Sequence, residues 1–386
     1  MEFEERSAIN ILGQLIRIRT PQPYGDEKDA VLYLCDLFST YPVECIVLEH
    51  GNNRASLIVT LPGKNRSHSI AIVGHLDTVG VDVGHQWQYG PFSAFHDGDR
   101  VYGRGAADMK GGVTSILLAA LNLLEDNFRP VLDIQLCFTA DEENGGIGAK
   151  SLCDGGYLDK ATEIVVVKPT NEKIGLAEKG TLWLSVETRG CGAHAAMPDK
   201  GVNAIEQTAL FAQNIAKWLH KKGKYPLLGH STCTITSLHG GNYSNVVPEY
   251  TKASFDIRTS PCIDHTSILE KINTIAQDQM RENDLLKISY DVTQNRPALG
   301  MDENAPLICT FAEIYKKLKM SWKTTGIRYF TDASIFVPRL GVPYIIIGPG
   351  EEMFFHQPDE YVSIESILRI AKVLKEYLLK STLQKS

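Results

Sequence analysis

Apolar and polar residues along the 386-residue chain follow two periods, and together they predict an α/β protein. Short unbroken apolar runs predict buried strands, and apolar residues spaced three or four apart predict helices with one buried face. Up to residue 178, the predicted helices cover 8–18, 28–39 and 112–124, and the predicted strands cover 43–48, 56–61, 69–73, 131–138 and 163–167. This alternation predicts a mixed sheet with helices on both faces.

The order of predicted strands and helices changes at about residue 179. Strand, helix, strand, strand, helix and strand are predicted in turn at 181–188, 204–220, 232–238, 249–257, 266–281 and 288–292. That order is typical of a ferredoxin-like α+β domain. A strand at 342–347 and a helix at 364–379 then return to the first pattern. We therefore predict a discontinuous first domain, residues 1–178 and 293–386, with a second domain of residues 179–292 inserted into it.

The composition fits a soluble, cytoplasmic enzyme. A formal net charge of −7 and a pI near 5.9 argue against nucleic acid and anionic membranes as partners. No apolar run reaches the ~20 residues that span a bilayer, and the acidic segment from Met1 to Arg6 lacks the basic start of a signal peptide. The eight cysteines form no CxxC pair, which predicts reduced thiols in a cytosolic setting.

Two neighbouring carboxylates, Glu142 and Glu143, follow the predicted strand 131–138. Open α/β sheets bind their ligands at the edge where the strands end. Adjacent carboxylates repel and are costly to bury unless a proton or a cation resolves the conflict. A divalent metal would resolve it, with one Glu as ligand and the other as general base. The alternative for an isolated pair is a solvated acidic turn.

Four more acid or imidazole positions lie near the ends of predicted elements. His75 and Asp77 follow a strand with the spacing of a metal ligand and the acid that orients it. Asp108 lies among glycines just before a helix, where the alternative role is an N-cap, and His356 follows a later strand. A single histidine of this kind is more often a polar core or surface residue. Their recurrence at successive strands is hard to explain as packing, so we predict a metal site.

The motifs around these residues resemble one family, the zinc aminoacylases and carboxypeptidases, over nearly the whole chain. They are Gly-His-Leu-Asp-Thr-Val at 74–79, Gly-Arg-Gly-Ala-Ala-Asp-Met-Lys-Gly-Gly at 103–112, Asp-Glu-Glu-Asn-Gly-Gly at 141–146, and a late histidine. The family includes acetylornithine deacetylase, succinyl-diaminopimelate desuccinylase and glutamate carboxypeptidases. The resemblance implies a dizinc hydrolase that cleaves an amide bond, with a mixed-sheet catalytic domain and an inserted ferredoxin-like lid and dimerisation domain.

The resemblance also implies a role for each side chain. The implied metal ligands are His75 for the first zinc ion, Asp108 as the bridge, and Glu143 and His356 for the second ion. Glu142 would be the general base that deprotonates the bridging water and later protonates the leaving amine, and Asp77 would orient His75. The mixed oxygen and nitrogen ligands suit Zn²⁺, with cobalt or manganese as possible substitutes. A cis peptide bond is expected between Asp108 and Met109.

Further residues matched by the resemblance would contact the substrate. His194 would reach the active site of the partner subunit and stabilise the oxyanion, since an imidazole donor suits that task. Arg258 would grip the substrate carboxylate and Asn245 would donate to it. Gly326 and Thr331 would lie near the substrate. The alternatives are a turn histidine for His194 and a strand-end salt bridge for Arg258.

One position departs from the family pattern. The family normally has an acid at the end of the strand after the Glu-Glu motif, where this chain has Lys168. An ammonium cannot complete the shell of the zinc held by His75, and its charge opposes a cation there. We favour an altered first metal site. A neutral lysine that acts as ligand or base, an engineered substitution and a non-catalytic relative remain alternatives. The favoured interpretation predicts fewer than two zinc ions per chain, rising in Lys168→Glu.

The sequence thus predicts a homodimeric, cytoplasmic metal-dependent amidohydrolase for a small N-acyl amino acid. Two zinc ions per subunit are expected from the family, and one is possible here. Activities like those of acetylornithine deacetylase and succinyl-diaminopimelate desuccinylase lead, the former slightly ahead because of the sequence Asp-Glu-Glu-Asn-Gly-Gly-Ile-Gly-Ala-Lys. A dipeptidase or carboxypeptidase of the same family is the alternative enzyme. A substrate-binding relative without catalysis is the alternative of another class.

Overall fold

A computed structural model describes residues 4–81 and 86–381 of the chain. The chain divides into two compact units. The first comprises Met1–Leu176, Met301–Thr325 and Thr331–Ser386, and the second comprises Ala177–Gly300 and Gly326–Phe330. The first three residues of the acidic N-terminal segment considered above lie outside the described residues.

The described residues form α-helices and β-strands throughout their length. The helices are α1 (Glu5–Arg17), α2 (Glu27–Phe38), α3 (Gly111–Glu125), α4 (Ile147–Asp154), α5 (Ala204–Lys221), α6 (His265–Arg281), α7 (Pro306–Lys317), α8 (Ala333–Leu340) and α9 (Ile364–Ser381). The strands are β1 (Glu44–Gly51), β2 (Arg54–Leu61), β3 (Asn65–His75), β4 (Phe95–Asp97), β5 (Arg100–Tyr102), β6 (Leu132–Thr139), β7 (Ala161–Val166), β8 (Ile174–Glu178), β9 (Gly180–Arg189), β10 (Thr232–Gly240), β11 (Tyr250–Thr259), β12 (Lys287–Arg296), β13 (Leu299–Gly300), β14 (Thr324–Ile327), β15 (Tyr344–Ile346) and β16 (Tyr361–Ser363).

The main sheet is mixed, which confirms the predicted fold class. Its nine strands have the order β1-β2-β6-β3-β7-β15-β8-β13, and β14 pairs with β8. The central strand β3 runs parallel to β6 and β7, and β15 runs parallel to β7. On the outer side, β2 is antiparallel to both β1 and β6. Strands with both faces covered read as continuous apolar runs, and this is the pattern from which β2, β6 and β7 were predicted.

The register of the parallel strands brings three chain segments together. His75 at the end of β3 pairs with Thr139 at the end of β6. Val73 of β3 pairs with Val166 at the end of β7. Because these strands are parallel, the segments that follow them leave the same edge of the sheet side by side. Those segments carry most of the predicted site residues.

Helix α3 lies in the core of the first unit, and nearly all of its residues are buried. The helical stretch Ala106–Glu125 is long and apolar enough to cross a membrane, and 89% of its most apolar window is buried inside the protein. Helices that are apolar all round are found in the cores of large proteins as well as in membranes. The stretch includes Asp108 and Lys110, so it is not an unbroken apolar run, and its burial is that of a core helix. The helical stretch begins upstream of residue 112, where the predicted helix began.

A small three-stranded sheet, which the sequence did not predict, has the order β16-β5-β4. Tyr102 of β5 pairs with Phe95 on one side and with Tyr361 on the other, and its ring lies 6.2 Å and 5.4 Å from theirs. The backbone N–H of Gly103 then donates to the carbonyl of Glu360 at 2.8 Å. This sheet therefore holds the segment before β16 against the segment that leads to Asp108.

The second unit has the element order β9-α5-β10-β11-α6-β12. Its sheet has the order β10-β11-β9-β12, and every neighbouring pair is antiparallel. This is the ferredoxin-like arrangement that the sequence predicted. The alternating strands turn their apolar residues toward α5 and α6, where Phe211 and Phe255 pack with ring centroids 5.9 Å apart.

The predicted boundary between residues 292 and 293 falls inside β12, which continues to Arg296. The register of β12 shifts between Val292 and Gln294, as in a β-bulge. A bulge inserts a residue and breaks the alternation of inward and outward side chains. The apolar pattern therefore stopped short of the true end of the strand.

Candidate metal and catalytic site

His75 is buried at the end of β3 and faces two carboxylates. Its Nε2 atom lies 3.1 Å from Asp108 Oδ1 and 3.6 Å from Glu142 Oε2. Its Nδ1 atom lies 2.9 Å from the backbone carbonyl oxygen of Asp77 and 3.5 Å from the nearer carboxylate oxygen of Asp77. A carbonyl acceptor fixes the ring with a proton on Nδ1, which leaves Nε2 for a ligand role.

The Asp77 carboxylate mainly holds the segment that carries the two glutamates. Asp77 Oδ1 accepts the backbone N–H of Glu142 at 3.0 Å, and Oδ2 accepts the backbone N–H of Glu143 at 3.1 Å. Burial raises the pKa of Asp77, but the His75 imidazole outweighs it and holds the pKa at about 2. An ionised carboxylate is a strong acceptor for backbone N–H groups. Asp77 thus fixes the Glu142–Glu143 backbone, whereas the predicted orientation of His75 comes chiefly through the Asp77 carbonyl.

Asp108 is held by residues that the sequence did not single out. The peptide bond between Asp108 and Met109 is cis, as expected. Glu360 Oε1 accepts the backbone N–H groups of Ala107 at 2.9 Å and of Asp108 at 3.1 Å. Glu360 Oε2 in turn receives Arg104 Nη1 at 2.7 Å. Both members of this ion pair are almost fully buried, so the carboxylate is fixed as a clamp on the backbone at Asp108.

Glu143 and His356 lie on the more open side of Asp108. His356 Nε2 is 3.1 Å from Glu143 Oε1 and 3.7 Å from Asp108 Oδ2, and the His356 side chain is 38% exposed. One ligand atom from each of these three residues lies within 4.8 Å of the others. Two carboxylates and one imidazole are a ligand set that Zn²⁺, Co²⁺ or Mn²⁺ accepts. The three residues therefore fit a divalent metal ion.

Lys168 follows β7 and points into the space between His75, Asp108 and Glu142. Its Nζ atom lies 3.1 Å from Glu142 Oε2 and 3.2 Å from Asp108 Oδ1, and its side chain is 3% exposed. At 4 Å, two unit charges in a protein interact by roughly 4 kcal/mol at an effective dielectric constant of 20. A divalent ion in the same place as the ammonium would be repelled more strongly still. His75, Glu142 and Glu143 also lie close enough together to hold an ion, but the charged Lys168 in contact with Glu142 opposes a second cation there.

Glu142 is buried beside this ammonium. Burial raises the pKa of Glu142 above its usual range, and Lys168 and His75 oppose the shift. A carboxyl group whose pKa lies closer to neutrality is suited to accept a proton and return it. The environment of Glu142 thus suits the general base that the sequence predicted.

Four of the predicted substrate residues belong to the second unit: His194, Asn245, Arg258 and Gly326. His194 forms an isolated bridge with Val246, so it lies beside the Asn245 segment. Arg258 Nε lies 3.0 Å from Asp256 Oδ1, which is the strand-end salt bridge considered as its alternative. These observations leave their predicted contacts with substrate untested.

Thr331, the fifth predicted substrate residue, belongs to the first unit and is fully buried. Its Oγ1 atom accepts the backbone N–H of Ala333 at 3.1 Å, at the start of α8. A hydroxyl in this place satisfies one of the unpaired N–H groups of a helix start. The structure thus gives Thr331 a capping role, and its predicted role near the substrate stays a prediction.

The segment around Glu142 is also held in place by residues that the sequence did not single out. Arg54 Nη1 lies 2.8 Å from Asp141 Oδ1 and 3.3 Å from Glu27 Oε1. Arg54 Nη2 donates to Gln22 Oε1 at 2.6 Å. Gln22 Nε2 donates to Asp77 Oδ2 at 2.8 Å and to Asp141 Oδ1 at 3.2 Å. No motif marks Gln22 or Arg54, although Asp141 precedes the Glu-Glu pair directly.

The sequence model of Peptidase family M20/M25/M40 matches residues 71–380. The chain belongs to this family.

Proteins similar to this M20 family member include a probable succinyl-diaminopimelate desuccinylase of Staphylococcus aureus (strain MRSA252). It is 30% identical over 407 residues, with 97% of each chain covered. A tripeptidase from Staphylococcus aureus subsp. aureus Mu50 has a TM-score of 0.80 at 20% identity, with 100% of each chain covered. The YXEP protein of Bacillus subtilis, a dinuclear metal binding peptidase, has a TM-score of 0.74 at 14% identity, with 98% of each chain covered.

These comparisons confirm the predicted family, its α/β fold with an inserted domain and its class as a hydrolase of a metal-dependent family. The M20 family member brings seven predicted residues together in its first unit: His75, Asp77, Asp108, Glu142, Glu143, Lys168 and His356.

Proposed function

We propose that the chain hydrolyses the amide bond between a short acyl group and a small amino acid. The cluster at the ends of β3, β6 and β7 carries this proposal, because it sets the buried Glu142 beside three residues that fit one metal ion. N-succinyl-diaminopimelate is the first candidate substrate and N-acetylornithine the second. This reverses the order expected from the sequence, because the similar curated proteins are named as probable desuccinylases.

Asp108, Glu143 and His356 would hold the metal ion. A divalent ion bound there would acidify a water molecule and polarise the acyl carbonyl group. Glu142 accepts a proton from the attacking water and delivers it to the amine that leaves. Asp77 keeps Glu142 in place through the backbone N–H that it receives at 3.0 Å.

The second unit would bind the substrate and join two subunits. Arg258 would bind the substrate carboxylate, because a guanidinium pairs with a carboxylate through two hydrogen bonds. Asn245 would donate to the same carboxylate. His194 would donate to the oxyanion in the active site of the partner subunit. On this proposal the protein is a homodimer, and it is cytoplasmic.

The test is release of free amine from a panel of N-succinyl-diaminopimelate, N-acetylornithine, dipeptides and tripeptides, with zinc, cobalt or manganese added. Hydrolysis of an acyl amino acid is expected, with the succinyl substrate fastest. Glu142→Gln should lower kcat roughly 10²- to 10⁴-fold, the usual contribution of a general base, without a change in bound metal. Glu303→Gln, which removes an exposed carboxylate, is the matched control.

Two other outcomes would reject the proposal in different ways. Faster turnover of dipeptides or tripeptides would favour the peptidase alternative, which the likeness of fold to a tripeptidase supports. Absence of turnover on every substrate in a metal-loaded protein would favour the substrate-binding relative. Binding of the same panel, followed by calorimetry, would then identify the ligand.

A further inference from the structure

The Lys168 ammonium lies in contact with two residues of the proposed metal site. Its Nζ atom lies 3.1 Å from Glu142 Oε2 and 3.2 Å from Asp108 Oδ1. The same two carboxylates surround His75 Nε2, at 3.6 Å and 3.1 Å. The ammonium thus lies in hydrogen-bonding contact with two of the groups that a cation beside His75 would need.

The backbone at Lys168 is closely packed on both sides. A side-chain carbon added at Gly112 would lie 2.0 Å from the carbonyl oxygen of Val167, and one added at Gly348 would lie 2.4 Å from the carbonyl oxygen of Lys168. Two glycines therefore pack directly against the chain on either side of the Val167–Lys168 peptide. The Lys168 side chain is only 3% exposed, so the ammonium lies in the interior beside the carboxylates.

The charges of the surrounding groups match a fixed cation. Asp77, Asp108 and Glu142 are all buried, and burial of several carboxylates is unfavourable without positive charge nearby. Lys168 is part of the chain, so its ammonium, unlike a metal ion, does not exchange with solvent. The Asp108–Glu143–His356 group shares Asp108 with this ammonium, because Lys168 Nζ also donates at 3.2 Å to Asp108 Oδ2, the oxygen that lies 3.7 Å from His356 Nε2. Glu143 and His356 complete the group that fits an exchangeable ion.

We propose that the Lys168 ammonium takes the place of one of two metal ions, so that the chain binds a single divalent ion at Asp108, Glu143 and His356. The inference rests on the proposed role of these three residues as metal ligands. On this inference the chain is a member of its family that binds one metal ion, and the Lys168 side chain provides the positive charge of the other. The inference also predicts that Glu142 and Asp108 keep their positions when no metal is bound.

The test is the number of metal ions bound per chain at equilibrium, measured with Co²⁺ by dialysis and mass spectrometry and followed by visible absorption. Wild type should bind one ion. Lys168→Glu should bind two, because it replaces an ammonium by a ligand. Lys168→Met, which removes the charge and adds no ligand, should also bind a second ion, more weakly than Lys168→Glu. Lys64→Glu makes the same charge change at an exposed site and should bind one ion.

Three results would overturn the inference. Wild type that binds two ions would mean that Lys168 is displaced or serves as a neutral ligand. If Lys168→Met still binds one ion, the second ion is absent because a carboxylate ligand is missing, and the ammonium does not exclude it. Wild type that binds no ion, while Lys168→Glu binds two, would mean that the Asp108–Glu143–His356 group needs its neighbour.

The hydrolysis panel on the same preparations separates this inference from the proposed function. One ion per chain together with amide hydrolysis supports both. One ion per chain without hydrolysis supports the role of Lys168 and rejects the proposed enzyme activity. Two ions with hydrolysis does the reverse.

Discussion

The side-chain amide of Gln22 donates to Asp77 Oδ2 at 2.8 Å. The other side of the amide, Gln22 Oε1, accepts Arg54 Nη2 at 2.6 Å. Gln22 thereby links a segment near the start of the chain to the carboxylate that holds the backbone of Glu142 and Glu143. This chain of hydrogen bonds positions Glu142, the proposed base, and Glu143, a proposed metal ligand.

Replacing Gln22 by methionine should therefore impair turnover with little effect on substrate affinity. The loss of one hydrogen bond to Asp77 leaves that carboxylate free to rotate away from the Glu142 and Glu143 N–H groups. Outer hydrogen bonds of this kind typically change activity by roughly 10- to 100-fold. Steady-state kinetics should show the fall in kcat with KM nearly constant. Gln14→Met, at an exposed position on α1, should leave both unchanged.

Glu360→Gln should weaken metal binding, although Glu360 is not proposed as a ligand. Glu360 Oε1 holds the backbone N–H of Asp108, and Oε2 neutralises Arg104. The amide keeps one acceptor but loses the charge, so Asp108 becomes less well fixed. We expect metal affinity to fall roughly 10- to 100-fold, measured by competition with a chromogenic chelator. Glu365→Gln, at an exposed position on α9, is the control and should bind metal as wild type does. If Glu360→Gln also binds metal as wild type does, this role of Glu360 is wrong.

The stability of the protein should fall as pH rises through neutrality, because of Glu27. Burial raises the pKa of Glu27 from 4.5 to about 7, and the charge of Asp77 adds to the shift. The folded protein therefore holds a proton that the unfolded chain releases above pH 4.5. The stability linked to this proton is complete below pH 4.5 and is lost as pH rises through 7. At about 1.4 kcal/mol per pKa unit, the loss is roughly 3 kcal/mol.

Glu27→Gln removes this dependence, because the amide carries no charge at any pH. Urea unfolding at pH 8 should show the variant to be more stable than wild type, and the difference should vanish below pH 4.5. A variant that is less stable than wild type at pH 8 would show that the ion pair with Arg54 outweighs the burial of Glu27. That pair has a separation of 3.3 Å.

Arg258→Met should raise KM for acyl amino acids and leave kcat less affected, if Arg258 binds the substrate carboxylate. A hydrogen bond to a charged group is worth about 1.5–3 kcal/mol, so the increase in KM should be roughly 10- to 100-fold. With a substrate whose carboxylate is amidated, wild type and Arg258→Met should have the same KM. Arg281→Met, at an exposed position on α6, controls for removal of a guanidinium. Equal KM values would leave Arg258 with only its salt bridge to Asp256.

Much of the site could be predicted because His75, Glu142 and Lys168 each follow a short, recognisable strand. His75 ends β3, and Glu142 comes soon after β6, so the register of a parallel sheet alone brings them together. The position of Lys168 followed from the same reasoning. The departure of Lys168 from the family pattern also predicted an altered first metal site.

The supporting residues could not be predicted, because their roles depend on contacts between distant parts of the chain. Glu360 is 252 residues from the Asp108 N–H that it accepts, and Gln22 is 55 residues from Asp77. Neither distance in sequence carries a periodic signal. The role of Asp77 was predicted only in part, because its backbone carbonyl and its carboxylate contact different partners.

The clamp that Glu360 places on Asp108 also sets the order of events during protein synthesis. Residues 75 to 143 leave the ribosome long before His356 and Glu360, and the whole second unit is made in between. Domains generally fold as units during synthesis, at about 5–20 residues per second. The nascent chain therefore cannot complete the proposed metal-binding group until almost all of the protein has been made. A chain that ends before residue 356 lacks His356, one of the three proposed ligands, and also lacks Glu360, which holds the backbone at Asp108.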